Sequence, residues 1–420
     1  MSDRSDREHG DRPLRVLILT SDAGHGHRSA AEAIAAAIQE RYPGDCEVVT
    51  SNPAREPEAP DLLRGGELGY DRIVQELPEL YESAYEISDS QFASTIGDAV
   101  LAVFLFGTIR HLIRQHRPDV IVSTYPLYQG PIGALKLGPD DTAPLVTVVT
   151  DLVSIHNVWF SKAADYCIVP TDTARELALQ SGLSPGQIKV CGIPVHPDIV
   201  HSRQTAAEAK ATLGWRQDLT TLLVIGGELV NGMVDALRVL DHSGLPIQLV
   251  AVAGRDKALL EQLEKTCWHA TTRVYGYVSD MPSMMAASDA VICKAGGLTV
   301  AEALASGLPI ILLDALPGQE EGNAQYVVEK GAGEQARDAV AILAKVYHWL
   351  DQEGTLLKKR AHRAQELGRP QAAFDVANFV FSVAARKVEG QERQDSPPHM
   401  ATMRADSPQP DRHSTREGAA

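Results

Sequence analysis

The chain has 420 residues, 44% of them hydrophobic, which is apolar material for two ordinary globular domains rather than one. Its formal charge of −16 disfavours non-specific binding to nucleic acid, whose phosphates want a basic face. The longest apolar run, residues 99–106, has less than half of the roughly 18 residues that a membrane span needs. Five scattered cysteines without a C-x-x-C pair point to free, buried thiols rather than a disulfide framework or a structural zinc site.

Residues 1–14 are charged and hold no apolar segment of the secretory kind, so a flexible leader and a cytoplasmic protein are expected. Residues 16–20 (VLILT) then form a short apolar run, followed by a small, polar turn and an Ala-rich helical stretch at 28–40. Further short runs at 120–122, 145–149 and 167–169 are each followed by loop residues and helix formers, the alternation of a parallel sheet. GIPVHPDIV, residues 192–200, carries two prolines and a glycine and reads as an interdomain connection. The pattern restarts with LLVIGG at 222–227 and continues through IQLVAVAGR at 247–255, AVICKAGG at 290–297 and PIILLD at 309–314. The domains expected are therefore 15–195 and 196–370, with a helix at 371–387 returning to the first domain and a disordered, polar tail at 388–420.

Three constellations are candidates to carry chemistry, although read alone the second is equally an ordinary tight turn with an exposed glutamate and the third a solvated loop. In SDAGHGHRSAAEAI, residues 21–34, Gly24 and Gly26 loosen a strand-to-helix turn that presents His27 and Arg28. The positive end of a helix disfavours imidazolium, so His27 is a general-base candidate, although the same turn also reads as a structural cap. The stretch loosely mimics a dinucleotide fingerprint. The second strand, however, ends in Ser51 and Asn52 rather than a ribose-binding carboxylate, which argues against a nicotinamide cofactor. In VICKAGGLTVAEALASGLP, residues 291–309, Gly296 and Gly297 open a helix whose first turn can hold a diphosphate without metal. Thr299 and Glu302 share one face of that helix, where the carboxylate can accept hydrogen bonds from ribose hydroxyls. In DALPGQEEGN, residues 314–323, Gln319, Glu320 and Asn323 are candidates for sugar hydroxyls. The chain has no D-x-D motif, so neither a metal nor any other cofactor is expected.

Together these segments resemble the monogalactosyldiacylglycerol synthase type of glycosyltransferase, a branch of family 28, over roughly residues 15–335. The resemblance rests on SDAGHGHRSAAEAI, on VVTDLVSIHNVWF (148–160), on YGYVSDMPSMMAASD (275–289) and above all on KAGGLTVAEALASGLPIILLDALPGQEEGN (294–323). Tyr125 stands where plant synthases tend to have histidine. The resemblance implies a GT-B fold, an α/β architecture of two doubly wound Rossmann-like domains facing across a cleft. It further implies Asp151 as a reserve base or orienting partner, and Gly24, Gly26, Arg28, His156 and Trp159 on the acceptor side. Gly226, Gly227, Arg255, Gly276, Val278, Gly296, Gly297, Thr299, Glu302, Gln319, Glu320 and Asn323 would hold the nucleotide sugar.

The expected activity is inverting transfer of a hexose from a UDP-sugar, galactose or glucose, to a lipid acceptor such as diacylglycerol. A UDP-GlcNAc-type transferase acting on another acceptor and a non-catalytic nucleotide-sugar-binding protein remain alternatives. Peripheral contact with an anionic membrane, on the inner face of the cell membrane, is expected from residues 99–117. That stretch joins an apolar run to Arg110, Arg114 and Arg117 without an acidic residue, and it reads equally as a core helix with a basic end.

Overall fold

The computed structural model describes residues 12–22, 26–59, 94–137, 143–201, 205–226, 232–313 and 320–395, with side chains omitted for 94–104 and 391–395. Gly24, Gly227, Gln319, residues 1–11 of the leader and 396–420 of the tail lie outside the described residues.

Twelve described strands form two parallel six-stranded sheets. The first contains β1 (Leu14–Leu19), β2 (Cys46–Ser51), β3 (Val120–Ser123), β4 (Leu145–Val148), β5 (Tyr166–Val169) and β6 (Ile188–Val190), in the order β2-β1-β3-β4-β5-β6. The second contains β7 (Thr220–Ile225), β8 (Ile247–Val252), β9 (Thr271–Tyr275), β10 (Ala290–Cys293), β11 (Ile310–Leu312) and β12 (Gly333–Gln335), in the order β12-β11-β10-β7-β8-β9. Strands buried on both faces are near-continuous apolar runs, and β3, β4, β8 and β10 are buried at every position.

In each sheet the strand order reverses once, between β1 and β3 and between β7 and β10. At such a switch point the flanking connections run to opposite sides and leave a crevice at the carboxyl ends of the strands. Helix α1 (Gly26–Arg41) starts at the first crevice, and α3 (Gly297–Ala305) starts at the second.

The chain crosses between the domains twice. Cys191 belongs to the core of the first domain, whereas Ile193 and Val195 belong to that of the second. Gly192, at φ +102, marks that crossing, and a Cβ there would stand 2.7 Å from the Cβ of Arg369 on the return. Helix α6 (Ala372–Asp395) then lies on α1, with Ala373, Val376, Ala377, Val380 and Ala384 fully buried in the first domain's core. The helix runs eight residues past the end read from sequence, so residues 388–395 do not belong to the tail. Val388 still packs on the core there, and the polar residues that follow it are mostly good helix formers.

Helix α2 (Ser94–His116) buries Leu105, Ile109, Leu112 and Ile113 under the first sheet. The apolar side of its described part is therefore committed to the core, leaving Arg114 and Arg117 exposed and Arg110 partly so. No described helix is long and apolar enough to cross a membrane. Of the five cysteines, Cys167, Cys191 and Cys293 are buried, Cys46 is partly buried and Cys267 is exposed, so burial does not hold for all of them.

Candidate active site

Three threonines end neighbouring strands of the first sheet and converge on the start of α1. Thr20, Thr124 and Thr150 follow β1, β3 and β4, and all are buried. The hydroxyls of Thr20 and Thr124 lie 2.9 Å apart, and Thr124 Oγ1 donates to the main-chain carbonyl of His27 at 2.9 Å. Thr150 Oγ1 lies 3.0 Å from Nδ1 of His27. The His27 ring is completed by aromatic neighbours, Tyr125 edge-on at 5.1 Å and Trp159 tilted at 5.9 Å. Burial drives this imidazole down to about 4, against the opposing effect of its hydrogen bond to the Thr124 backbone. At neutral pH His27 is therefore unprotonated and able to accept a proton. The helix N-terminus points the same way, but desolvation is the larger cause.

Arg28, beside it, is held by Asp22, which also binds Arg55 at 2.6 Å and accepts from Asn52 Nδ2 at 3.1 Å. Although burial opposes it, hydrogen bonding and charge from Arg28 keep the Asp22 carboxyl below its usual range. Arg28 thus fastens the first turn of α1 to the loop after β1. His156 accepts from the Val158 amide at 3.2 Å and so caps the short turn that presents Trp159. The Trp159 carbonyl in turn accepts from Gln129 Nε2 at 3.2 Å.

On the opposite domain, the loops after β7, β8 and β9 meet through glycines. A Cβ on Gly226 would overlap Met233 Sδ, and one on Gly254 would lie 3.7 Å from the Gly226 carbonyl. Gly276 is 3.8 Å from the Gly254 carbonyl on the same measure, and Val278 packs against the domain core. Arg255 stacks over the exposed Tyr277 ring at 4.8 Å. Gly296 caps α3 in an extended conformation, and Lys294 pairs with the buried Glu320 at 3.0 Å immediately beside it. Thr299 and Glu302 lie partly open on α3, one turn apart. Burial pushes the Glu302 carboxyl up to about 7, so near neutrality it is divided between acid and carboxylate rather than fully ionised as its sequence context suggests.

The two halves touch at the loop 150–154. A Cβ on Gly297 would overlap the Thr150 carbonyl oxygen, and one on Gly322, in α4 (Glu321–Glu329), would overlap the Ser154 side chain. Asn323 Oδ1 accepts from the Leu152 amide at 2.9 Å, and its Nδ2 donates to the Ala295 carbonyl at 3.1 Å. Asn323 is fully buried, its amide oxygen bonded across the seam to the first domain and its amide nitrogen bonded to Ala295 of its own domain. Asp151 is buried in the same seam, its Cα 3.4 Å from where a Gly297 Cβ would be. Sequence reasoning passed over Thr150, Asp22 and Lys294. Thr150 and Lys294 each follow a core strand on the cleft side, a signal available once the strand order is known.

Comparison with known proteins fits this arrangement. Residues 27–195 match the model of the monogalactosyldiacylglycerol synthase family, and residues 221–376 match the glycosyltransferase family 28 C-terminal domain. The chain is 34% identical over 394 residues to a probable chloroplastic monogalactosyldiacylglycerol synthase of Glycine max, covering 91% of this chain and 74% of that protein. It is 33% identical over 386 residues to the monogalactosyldiacylglycerol synthase of Spinacia oleracea, covering 90% and 74%. Among solved structures, MurG of Acinetobacter baumannii superposes with a TM-score of 0.57 at 16% identity, over 88% of this chain and all of that one. The UDP-GlcNAc 2-epimerase of Neisseria meningitidis gives 0.58 at 11% identity, over 88% and 100%. Two facing doubly wound domains, joined at a cleft between a histidine-bearing turn and a glycine-opened helix, are the GT-B architecture, and the chain belongs to the monogalactosyldiacylglycerol synthase family of glycosyltransferases.

Proposed function

We propose that this glycosyltransferase moves a hexose, galactose or glucose, from its UDP-sugar to the free hydroxyl of diacylglycerol with inversion at the anomeric carbon. The observation that carries the reading is that Thr150 touches both His27 on one domain and Gly297 on the other, so the two candidate reaction partners meet at one residue. In the proposed step Nε2 of His27 takes the acceptor's hydroxyl proton as that oxygen bonds the anomeric carbon. The bond to the β-phosphate oxygen breaks, and UDP departs with its electrons. General-base help of this kind contributes about 100- to 10,000-fold. The diphosphate would rest on the first amides of α3, with Lys294 beside them, and Glu302 would accept from the ribose hydroxyls. A matrix of UDP-galactose, UDP-glucose and UDP-GlcNAc against diacylglycerol and polyprenyl phosphate lipids, read by mass spectrometry, tests this. Glycosyldiacylglycerol from the first or second donor is expected, and product on a polyprenyl lipid alone would overturn the acceptor assignment.

A lipid acceptor requires access to a membrane surface, and Arg110 and Arg114 on α2, with Arg117 just past its end, form a basic patch suited to anionic headgroups. Because the apolar side chains of its described part are spent on the core, this contact is electrostatic and salt-sensitive. Flotation with anionic vesicles should be lost on changing all three arginines to glutamate, and retained flotation would remove α2 as the docking element.

A further inference from the structure

We infer that Thr150 is a positioning residue for the transfer reaction: its hydroxyl holds the His27 ring, and its main chain is seated by the glycine that opens the nucleotide-binding helix. The inference rests on the reading of His27 as general base.

Thr150 Oγ1 is 3.0 Å from Nδ1 of His27, and Thr150 is 5% exposed. When Nδ1–H donates to this oxygen, Nε2 carries the lone pair that accepts the acceptor's proton; the opposite tautomer would block it. The threonine is itself fixed along its chain. On one side the Val149 amide donates to the Ile168 carbonyl at 2.9 Å, tying the end of β4 to β5. On the other side the Leu152 amide donates to Asn323, and Thr171 Oγ1 donates to the Leu152 carbonyl at 2.8 Å. Between these anchors the Thr150 carbonyl oxygen packs directly on Gly297, the first residue of α3, where any side chain would collide with it.

The hydroxyl and the carbonyl of one residue therefore face the two halves of the reaction. Movement of α3 away from the first domain takes Gly297 off the Thr150 carbonyl and Asn323 off the Leu152 amide, which loosens the backbone that carries the hydroxyl orienting the imidazole. Docking of the nucleotide turn and alignment of the base become one event. Such coupling matters because misplacing a catalytic group by about 1 Å can cost about 100-fold in rate.

The experiment compares Thr150→Val, which keeps the shape and removes the hydroxyl, with Thr150→Ser, which keeps the hydroxyl. Both are examined with His27→Ala and with the Thr150→Val/His27→Ala double variant, in the full chain with UDP-galactose and diacylglycerol. Thr150→Val is expected to lower kcat by about 10- to 100-fold with the KM for UDP-galactose nearly unchanged, while Thr150→Ser stays within about 3-fold of the parent. The double variant should be no slower than His27→Ala, because the hydroxyl acts through the ring. In ¹⁵N NMR of the imidazoles, the His27 resonances should report a single Nδ1–H tautomer in the parent and a mixture in Thr150→Val. Near-parental kcat in Thr150→Val beside an inactive His27→Ala overturns the positioning role and leaves the base reading intact. Near-parental turnover in His27→Ala overturns the base reading itself. Equal losses in Thr150→Val and Thr150→Ser, with an unchanged His27 spectrum, would reduce Thr150 to a packing residue.

Discussion

At the scale of single residues, the two candidate groups that titrate near the cleft respond to burial in opposite senses. His27 is held neutral with its pKa at about 4, and the Glu302 carboxyl is raised to about 7. The base is therefore in its working form across the physiological range, and the acid limb of kcat should fall near pH 4 rather than near 6.5. A pH–rate profile with saturating donor and acceptor checks this, and an acid limb centred above 6 would count against His27 as the base. Glu302 gives the complementary prediction. If its carboxylate receives ribose hydroxyls, binding favours the ionised form, so UDP-galactose affinity should rise as the pH increases from 6 to 8. Glu302→Gln should flatten that dependence and weaken binding at pH 8 by about 10-fold or more, measured by calorimetry without acceptor. The stability linkage has the opposite sign for the two groups. His27, lowered from 6.5, contributes stability present above 6.5 and lost as pH falls through 4. Glu302, raised from 4.5, contributes stability present below 4.5 and lost as pH rises through 7.

At the scale of elements, the glycines that open α3 and α4 are needed for the approach of the other domain as much as for a ligand. Gly297→Ala should leave each domain folded yet hold the nucleotide turn away from the 150–154 loop, lowering transfer by about 100-fold at nearly unchanged melting temperature. Thermal melting together with a sugar-transfer assay separates that outcome from simple unfolding. The strands and the switch-point helices were legible in the sequence because a two-sided sheet imposes short apolar runs, and the turns at Gly26 and Gly296–Gly297 interrupt them visibly. The end of α6 was not, since residues 388–395 look like tail and only the packing of Val388 on the first domain extends the helix. Nor was the role of Asn323, whose polar neighbours suggested a sugar site. Its partner across the seam, Leu152, is 171 residues away in sequence and is brought to it only by the meeting of two domains. Thr150 was hidden for a similar reason, because a hydroxyl at a strand end is commonplace until the order β1-β3-β4 sets it beside His27.

At the scale of the whole molecule, the site exists only where the halves are joined, so the seam should control transfer separately from nucleotide binding. Two crossings near Gly192 and Gly368 form the hinge side, where a cavity of about 70 Å³ lies between Leu152, Thr171, Tyr326 and the crossings. A Cβ on Gly368 would overlap the Leu304 carbonyl oxygen, so that crossing is tightly packed and offers little slack. The cleft side is closed by Asn323. Asn323→Ala would leave the Leu152 amide buried without its partner whenever the domains are together, at about 1–3 kcal/mol. Separation lets water satisfy that amide, so the variant shifts the population toward open forms by about 10-fold. Because the candidate nucleotide ligands lie on the second domain, UDP affinity should stay within about 3-fold of the parent while sugar transfer falls by at least about 10-fold. Small-angle X-ray scattering should record a larger radius of gyration for the variant. A variant that transfers sugar at the parental rate with an unchanged scattering profile would mean that Asn323 does not hold the halves together, and that the contacts of the 150–154 loop with Gly297 and Gly322 maintain the closed cleft.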